Sequence, residues 1–352
     1  MRTKSPHERF SQEIQNELAS KGLKVIFRMN DREAWDNTFA KLEYKLVSMN
    51  NAGMDYYQEI EETSCNSSID LSCIIVENNK RIALWALSIT TRGINSEVTS
   101  HGNMLEEPKF VQGIDESVKI RTTKACYRTC MTMSKIIGAS KIKSISRTNG
   151  RVSMSSWHIN ALKNGAFTIP SYEAYIDLED ELSDIFGSFR KSYRPLIRNN
   201  LNIWKTVIVT SGDEEHHWEE FRKIHFEAAG RLTRSDKSWE LNKRSVSNNQ
   251  AFLVMQYNTV GRIVGGSLFQ ITDDDAYYGV GAYARDLFNK PIGHIAQYRA
   301  IEEMKQRRIK RYRIGQCYFN EHNVVEKELS ISKFKSGFTN RFQCNYILDH
   351  SL

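Results

Sequence analysis

One order of elements occurs twice in this chain of 352 residues, the copies offset by roughly 175 residues, about the size of one domain. In the first copy, Cys73–Ile89 holds two apolar runs around the polar turn Asn78-Asn79-Lys80. A long helical pattern starts at Lys124, a strand-like run at Lys141, an amphipathic stretch ends at Phe167, and the strand Tyr172–Leu178 closes the unit. In the second copy, Phe252–Ile271 again sets two apolar runs around a turn, Asn258-Thr259-Val260-Gly261. A helix from Gly293, a strand at Arg311, an amphipathic stretch from Ser330 and a closing strand from Phe342 follow in the same order. Each copy also approaches its last strand through a related segment, LKNGAF ending at Phe167 and FKSGF ending at Phe338. Hairpins followed by alternating helices and strands make an α/β class, with each copy burying one sheet face or both under helices.

Composition fits two such cores. Apolar residues make up 40% and aromatic residues 11% of the chain, enough to bury two domains without staples. No stretch approaches the ~20 apolar residues of a membrane span, and the first residues lack the apolar centre of a signal peptide, so a cytoplasmic location is expected. Six cysteines, Cys65, Cys73, Cys126, Cys130, Cys317 and Cys344, are too sparse for a disulfide framework. Cys126 and Cys130 lie one helical turn apart, but no nearby His or Cys pair completes a tetrahedral set, and no metal is expected. The glycosylation-like triplet Asn66-Ser67-Ser68 carries little meaning without a secretory signal.

The net charge of +7 favours an anionic partner: a nucleic acid, a nucleotide-containing cofactor, a nucleotide sugar or an anionic membrane surface. Two basic runs stand out, Arg190, Lys191, Arg194 and Arg198 in one, and Lys305 to Arg313 in the other. Each also reads as a solvated helix face with snorkelling side chains.

The boundaries expected are an N-terminal arm or helix over 1–23, a first unit over 24–179 and a second over 180–352. Asp31–Met49 has Trp35, Phe39, Leu42 and Leu46 at helical spacing with Asp31 as N-cap. Residues 91–112, with their Gly and Pro breakers, read as an irregular loop. Asp184–Asn200 reads as a joining helix broken near Arg194 by Pro195. A strand over Ile203–Thr210 and helices over Asp213–Ala229 and Asp236–Ser247 precede the second hairpin.

The element order of the second unit, together with HFEAAGRLTRSDKSW (His225–Trp239), AYYGVGAY (Ala276–Tyr283), KPIGHIAQYRAIEEMK (Lys290–Lys305) and ELSISKFKSGF (Glu328–Phe338), resembles the Fem-like acyltransferases. That group includes the peptidoglycan interpeptide-bridge transferases and tandem-GNAT acetyltransferase-like proteins of polysaccharide gene clusters. The basic segment FRKSYRPLIRNN from Phe189 looks like the helix that opens their second domain. The resemblance implies two tandem GNAT-like domains (the acyl-CoA N-acyltransferase fold) with mixed, mostly antiparallel sheets flanked by helices. It implies an acyl or aminoacyl transfer to an amine in the second domain, with the first mainly a scaffold. The donor implied is acyl-CoA, for instance acetyl-CoA, or aminoacyl-tRNA. The acceptor implied is a nucleotide-sugar, lipid-linked saccharide or peptidoglycan-type precursor, with peripheral membrane association compatible. Two departures stand beside this: the Gly-rich phosphate-cradling pattern is missing before the helix at Gly293, where Asn289-Lys290-Pro291-Ile292-Gly293 stands instead, and no inserted coiled-coil arm is present.

An amine attacking an ester or thioester must lose a proton, and the oxyanion needs a donor. No Ser-His-Asp or Cys-His arrangement is legible, which favours direct transfer without a covalent enzyme intermediate. His294, at the start of a helix, is the leading base or acceptor-orienting group. Tyr278 is placed to face the donor or protonate a leaving group, and His225 accompanies Arg231 and Arg234, which share a face if their helix continues through Gly230. Trp239, Tyr298, Lys191 and Arg194 are further binding candidates. Lys335 is suited to an anionic substrate or to the carbonyls ending its own helix. Asp273-Asp274-Asp275 reads as a solvated turn rather than a metal site. A second class stays open: a non-catalytic RNA- or polysaccharide-binding protein that keeps a duplicated fold.

Overall fold

The computed structural model describes residues 5–64, 67–148, 154–319 and 324–352; Cys65 and Asn66, singled out above, lie outside them. The chain divides into two compact units, one of Met1–Ser171 with Cys344–Leu352 and one of Tyr172–Gln343.

The first unit opens with α1 (Pro6–Ala19), begun by a capping box in which the Ser5 hydroxyl accepts from the Glu8 N–H and the Glu8 carboxylate accepts from the Ser5 N–H. Ile14 and Leu18 of α1 are fully buried in the unit's core, so residues 6–19 are an integral layer rather than a loose arm. There follow β1 (Lys24–Phe27), α2 (Arg32–Phe39), α3 (Asn51–Ser64), β2 (Ser67–Asp70), β3 (Cys73–Glu77), β4 (Lys80–Trp85), β5 (Ser88–Arg92), β6 (Asn95–Thr99), β7 (Leu105–Glu106), β8 (Lys109–Phe110), α4 (Glu116–Ile136), β9 (Lys141–Ser146) and α5 (Ser156–Lys163), and then β10 (Phe167–Asp177), most of which belongs to the second unit. The β3–β4 hairpin turns at Asn78 and Asn79, both with positive φ (49° and 60°), the backbone of a two-residue turn matched to strand twist. Strands β1, β3, β4 and β8 form one sheet, and β2, β5 and β6 another. Residues 91–112 are therefore not an irregular loop: β5 and β6 pair about Gly93 (φ 61°). The Asp31 carboxylate caps α2 at the Ala34 N–H, 2.8 Å away, but the helix stops at Phe39. Leu42 and Leu46 reach the core from non-helical backbone.

The second unit contains α6 (Leu182–Ser188), α7 (Tyr193–Arg198), β11 (Lys205–Val209), α8 (Glu214–Ala229), α9 (Asp236–Ser247), β12 (Ala251–Tyr257), β13 (Ile263–Ile271), β14 (Asp275–Tyr283), α10 (Ile292–Gln306), β15 (Arg311–Cys317) and α11 (Glu326–Lys335). The joining segment breaks at 189–192, earlier than expected, because Pro195 sits in the first turn of α7, where a missing N–H is tolerated. Within this unit the strand order is β11-β12-β13-β14-β15-β10. Period-2 alternation in β12 sends Leu253 and Met255 to the α8–α9 face and Phe252 and Val254 to the α10 face, so helices cover both sides of the sheet.

The domain boundaries differ from the sequence expectation in an instructive way. The last strand, β16 (Phe342–Ser351), pairs antiparallel with β9 of the first unit over Tyr346–Ser351. The closing strand of the first copy, β10, pairs instead with β15 over Tyr172–Asp177. Each copy gives its closing strand to the other unit's set of pairings, so the division falls at 171/172 and not at 179/180, and residues 344–352 leave the second unit.

Candidate active site

Strand β14 keeps its antiparallel partner β13 out to Tyr283, whereas its parallel pairing with β15 covers only Asp275–Tyr277 against Arg311–Arg313. Beyond Tyr277 the two strands part. A register shift on the β13 side pairs Tyr278 with Phe269 and Val280 with Leu268, which leaves Gly279 as a bulged residue where the parting begins. Among the described residues no strand pairs with the β14 edge from Tyr278 to Tyr283, so its N–H and C=O groups line an opening in the sheet.

A buried ion cluster clasps the closed end of this opening. The Arg313 guanidinium donates two 2.7 Å hydrogen bonds to the Asp275 carboxylate and one of 3.2 Å to Glu173, and it lies 5.1 Å from the Tyr277 ring centre. Burial by itself lowers the Arg313 pKa, but the Asp275 and Glu173 charges outweigh it and the net shift is well upward. Asp274 is buried as well and pairs with Lys310 at 2.7 Å. The acidic run is thus not a solvated turn; only Asp273 is exposed.

Two lips flank the open end. On one face, α8 ends at Gly230, whose left-handed φ of 69° terminates the helix. The helix therefore does not continue through Gly230 as Arg231 and Arg234 sharing a helical face would require; both lie in the connection to α9. They still meet: His225 and Arg231 line one pocket with Trp239, Arg234 approaches His225 Nε2 at 2.9 Å, and its guanidinium stacks 5.6 Å from Trp239. Arg285, just past β14, donates to the Ala228 carbonyl at 2.9 Å and ties this helix end to the end of the strand.

On the opposite face, α10 begins nine residues past the end of β14. His294 stands edge-on to Tyr193 of α7 with ring centres 4.3 Å apart and against Phe334 and Phe338. Tyr298, one turn on, packs against Phe186. Arg194 is half-buried in α7 and Lys191 exposed before it. Lys335 ends α11, yet its Nζ donates to the Gln316 carbonyl of β15 at 3.2 Å and not to its own helix end. Gly315 makes this possible, because it has φ 116° and a Cβ there would lie 2.9 Å from the Lys335 amine. Burial lowers the Lys335 pKa, with Cys317 and Glu173 opposing.

Beneath α10 lies a phenol cluster. Tyr278 and Tyr283 hydroxyls are 3.2 Å apart, Tyr283 meets Ser267 at 2.8 Å, and Tyr312 donates to Gln297 at 2.5 Å. Burial raises the pKa of Tyr278, Tyr283 and Tyr312, so at neutral pH they are donors, not bases. Sequence reasoning missed Arg313, Asp275, Glu173, Tyr283 and Gln297. The first two lie inside charge runs that read as surface, and Tyr283 ends the segment Ala276–Tyr283 that resembles the Fem-like proteins.

The second basic run does not form one positive face. Lys305 donates to the Leu178 carbonyl at 2.9 Å, Arg307 binds Glu303 at 2.7 Å, and Arg313 is buried in its acidic clasp. Nor does a nucleophilic triad emerge elsewhere among the described residues. Ser72, His101 and Asp70 meet in the first unit, but the same Nε2 faces both partners, at 2.9 and 3.4 Å, and all three residues are buried. Cys126 and Cys130 are buried free thiols whose pKa burial pushes well up. No described helix is long and apolar enough to cross a membrane.

His294 and His225 share a titration property. Burial, reinforced by Arg190 and Arg234 respectively, lowers each to about 4 from an ordinary 6.5. The unfolded chain therefore takes up protons before the folded one does: stability is full above about pH 6.5 and falls as pH drops toward 4. The double variant His225→Gln/His294→Phe is expected to flatten this decline in urea denaturation between pH 7 and pH 4; an unchanged slope rejects the assignment.

This arrangement, two α/β units each with helices over a mixed sheet, one opened between its central strands, defines a tandem GNAT-like architecture. No family model matches the sequence, and no curated protein does. Among solved structures, FemX is similar at 12% identity over 91% of this chain and 96% of its own, with a TM-score of 0.65. L-PGS from Bacillus licheniformis is similar at 12% identity over 90% and 91%, with a TM-score of 0.59. The chain has the Fem-like tandem GNAT fold.

Proposed function

We propose that the second unit transfers an acyl or aminoacyl group from an activated carrier, acyl-CoA or aminoacyl-tRNA, to an amine on a cell-envelope saccharide or peptidoglycan-type precursor. The observation that carries this reading is the parting of β14 from β15 beyond Tyr277. It leaves backbone donors facing an opening, where they can stabilise the oxyanion of a tetrahedral intermediate. The cations Arg231 and Arg234 at one lip suit the phosphates of either carrier. The nitrogen attacks the carbonyl carbon, a C–N bond forms, and the C–S or C–O bond to the carrier breaks. The proton lost by the nitrogen ends on the departing sulfur or oxygen, a transfer for which the protonated phenol of Tyr278 is suited. His294, neutral at physiological pH, orients the amine by accepting a hydrogen bond, and Lys335 holds an anionic part of the substrate. The engagement of the second basic run within the fold removes a basic face that a non-catalytic RNA-binding protein would use, and it weighs equally against tRNA as the carrier.

Incubation with acetyl-CoA or charged tRNA and amino-sugar nucleotides or lipid-linked amino sugars is expected to give an acylated product by mass spectrometry. Folded His294→Phe and Lys335→Met variants are expected to lose about 10²–10³ in rate. Absence of product with both donors across these acceptors, or full activity in both variants, rejects the proposal.

A further inference from the structure

We propose that the second unit docks on the surface of an anionic lipid bilayer through three connections at the open end of its sheet. Among the described residues of this unit, five large apolar side chains are at least half exposed. Four of them, Phe226 (50%), Leu232 (78%), Val260 (84%) and Phe288 (67%), stand in or beside these connections. Phe226 is in the last turn of α8, Leu232 in the α8–α9 connection, Val260 in the β12–β13 turn and Phe288 between β14 and α10. Strand pairing puts the turn beside the end of β14, because Gly265 of β13 pairs with Tyr283. Side-chain links then draw the three connections together. Arg262 of the turn binds Asp286 at 3.0 and 3.2 Å, and the neighbouring Arg285 donates to the Ala228 carbonyl at the end of α8. A single exposed apolar residue is ordinary, but four gathered at one end mark a surface built for contact.

Charge selects the occupant. Residues 226–235, 258–262 and 284–291 carry five cations, Arg231, Arg234, Arg262, Arg285 and Lys290, against two carboxylates, Glu227 and Asp286, so this end attracts an anionic surface. The cations are interleaved with the apolar residues: Leu232 directly follows Arg231, Val260 stands two residues before Arg262, and Phe288 two before Lys290. A nucleic acid matches the cations but gives the aliphatic tips Leu232 and Val260 no stacking partner of their own kind. The core of a protein interface accepts the apolar tips but is depleted of charge. A bilayer surface takes both at once. Apolar side chains at loop tips enter the boundary between headgroups and acyl chains, while the guanidinium and ammonium groups beside them stay level with the lipid phosphates. Docking of this kind turns the opening beyond Tyr277 toward a lipid-linked acceptor, and only that consequence rests on the transfer reaction proposed above.

The test is co-sedimentation of the full chain with phosphatidylcholine vesicles, either alone or carrying about 30% phosphatidylglycerol. Binding is expected to the anionic vesicles, weakening about fivefold or more as salt rises from about 0.1 to about 0.5 M. The triple variant Leu232→Ser/Val260→Ser/Phe288→Ser is expected to lose at least about tenfold in affinity, and Arg231→Gln/Lys290→Gln severalfold. Ile94→Ser controls for exposure alone: Ile94, 99% exposed, lies in the β5–β6 turn of the first unit, and its replacement is expected to leave binding unchanged. All the replaced apolar side chains are exposed, and circular dichroism checks that each variant is folded. No binding to the anionic vesicles, equal binding to the neutral ones, or undiminished binding by the folded triple variant overturns the proposal. A dimer in lipid-free solution, or binding to single-stranded RNA, that the triple variant abolishes also overturns it, since the surface then belongs to a second copy or to a nucleic acid. No acyl donor or acceptor enters these measurements, so failure of docking and failure of the transfer assay are told apart.

Discussion

Replacing Arg313 with methionine is expected to lower the stability of the second unit by about 3–5 kcal/mol, because the substitution removes the one guanidinium that two interior carboxylates share. Asp275 is wholly buried and Glu173 nearly so, and both Asp275 oxygens are bound by this one guanidinium. A loss of that size moves a thermal midpoint by roughly 10 °C in a unit of this length. The double variant Arg313→Met/Asp275→Asn is expected to recover part of the loss, since it removes one buried negative charge along with the cation that balanced it. Arg311 is the control: it lies two residues away on the same strand, over Tyr175 and bound to Gln343, and it is only partly buried. Its replacement by methionine is expected to cost less than about 1 kcal/mol. Calorimetry showing equal losses for Arg311→Met and Arg313→Met would remove the clasp from this account. The clasp matters for function because it acts at the last paired residues, Tyr277 and Arg313, before the strands diverge.

Much of the architecture was legible because it is local. Hairpins, the helices α8 and α9 and the helix at Gly293 announce themselves through periodicity and turn residues that need no knowledge of distant partners. The exchange of closing strands was not legible. A strand's alternation says which face is buried, but not which neighbour completes its ladder, and Tyr172–Asp177 reads the same beside β9 as beside β15. Charge runs misled for a similar reason: the partner that buries Asp275 lies 38 positions away, so spacing alone presents it as a solvated turn. At the site, His225, Arg231, Arg234 and Trp239 were gathered from one segment and are found together. The phenol cluster draws on β13, β14, α10 and β15, a convergence that only the tertiary structure supplies. Gly230 did carry a readable signal, a glycine after two alanines ending a helical run, which is the ordinary mark of a helix terminus.

The first unit contains a comparable dependence on one buried cation, Arg28. Its guanidinium, 1% exposed, donates to Asp70 at 2.6 and 2.9 Å, to Asn51 at 2.9 Å and to Asp55 at 2.9 Å. Burial raises the Asp70 pKa, but the charges of His101 and Arg28 outweigh it, leaving a net lowering; Asp55 is lowered too, against burial, by Arg32 and Arg28. Both carboxylates thus stabilise the fold above their ordinary 3.8, and that stabilisation fades as pH falls through their lower folded values. Arg28→Met leaves Asp70 without its strongest donor in a site closed to water, at an expected cost of about 3–5 kcal/mol in urea denaturation. Arg32→Met touches the same Asp55 but from a side chain 41% exposed, and is expected to cost less than about 1 kcal/mol. Because Arg28 joins the end of β1 to α3 and β2, its loss is expected to unfold the unit cooperatively rather than fray an edge. A midpoint shift in Arg28→Met no larger than that in Arg32→Met would show that the network is held by its neighbours and not by this charge.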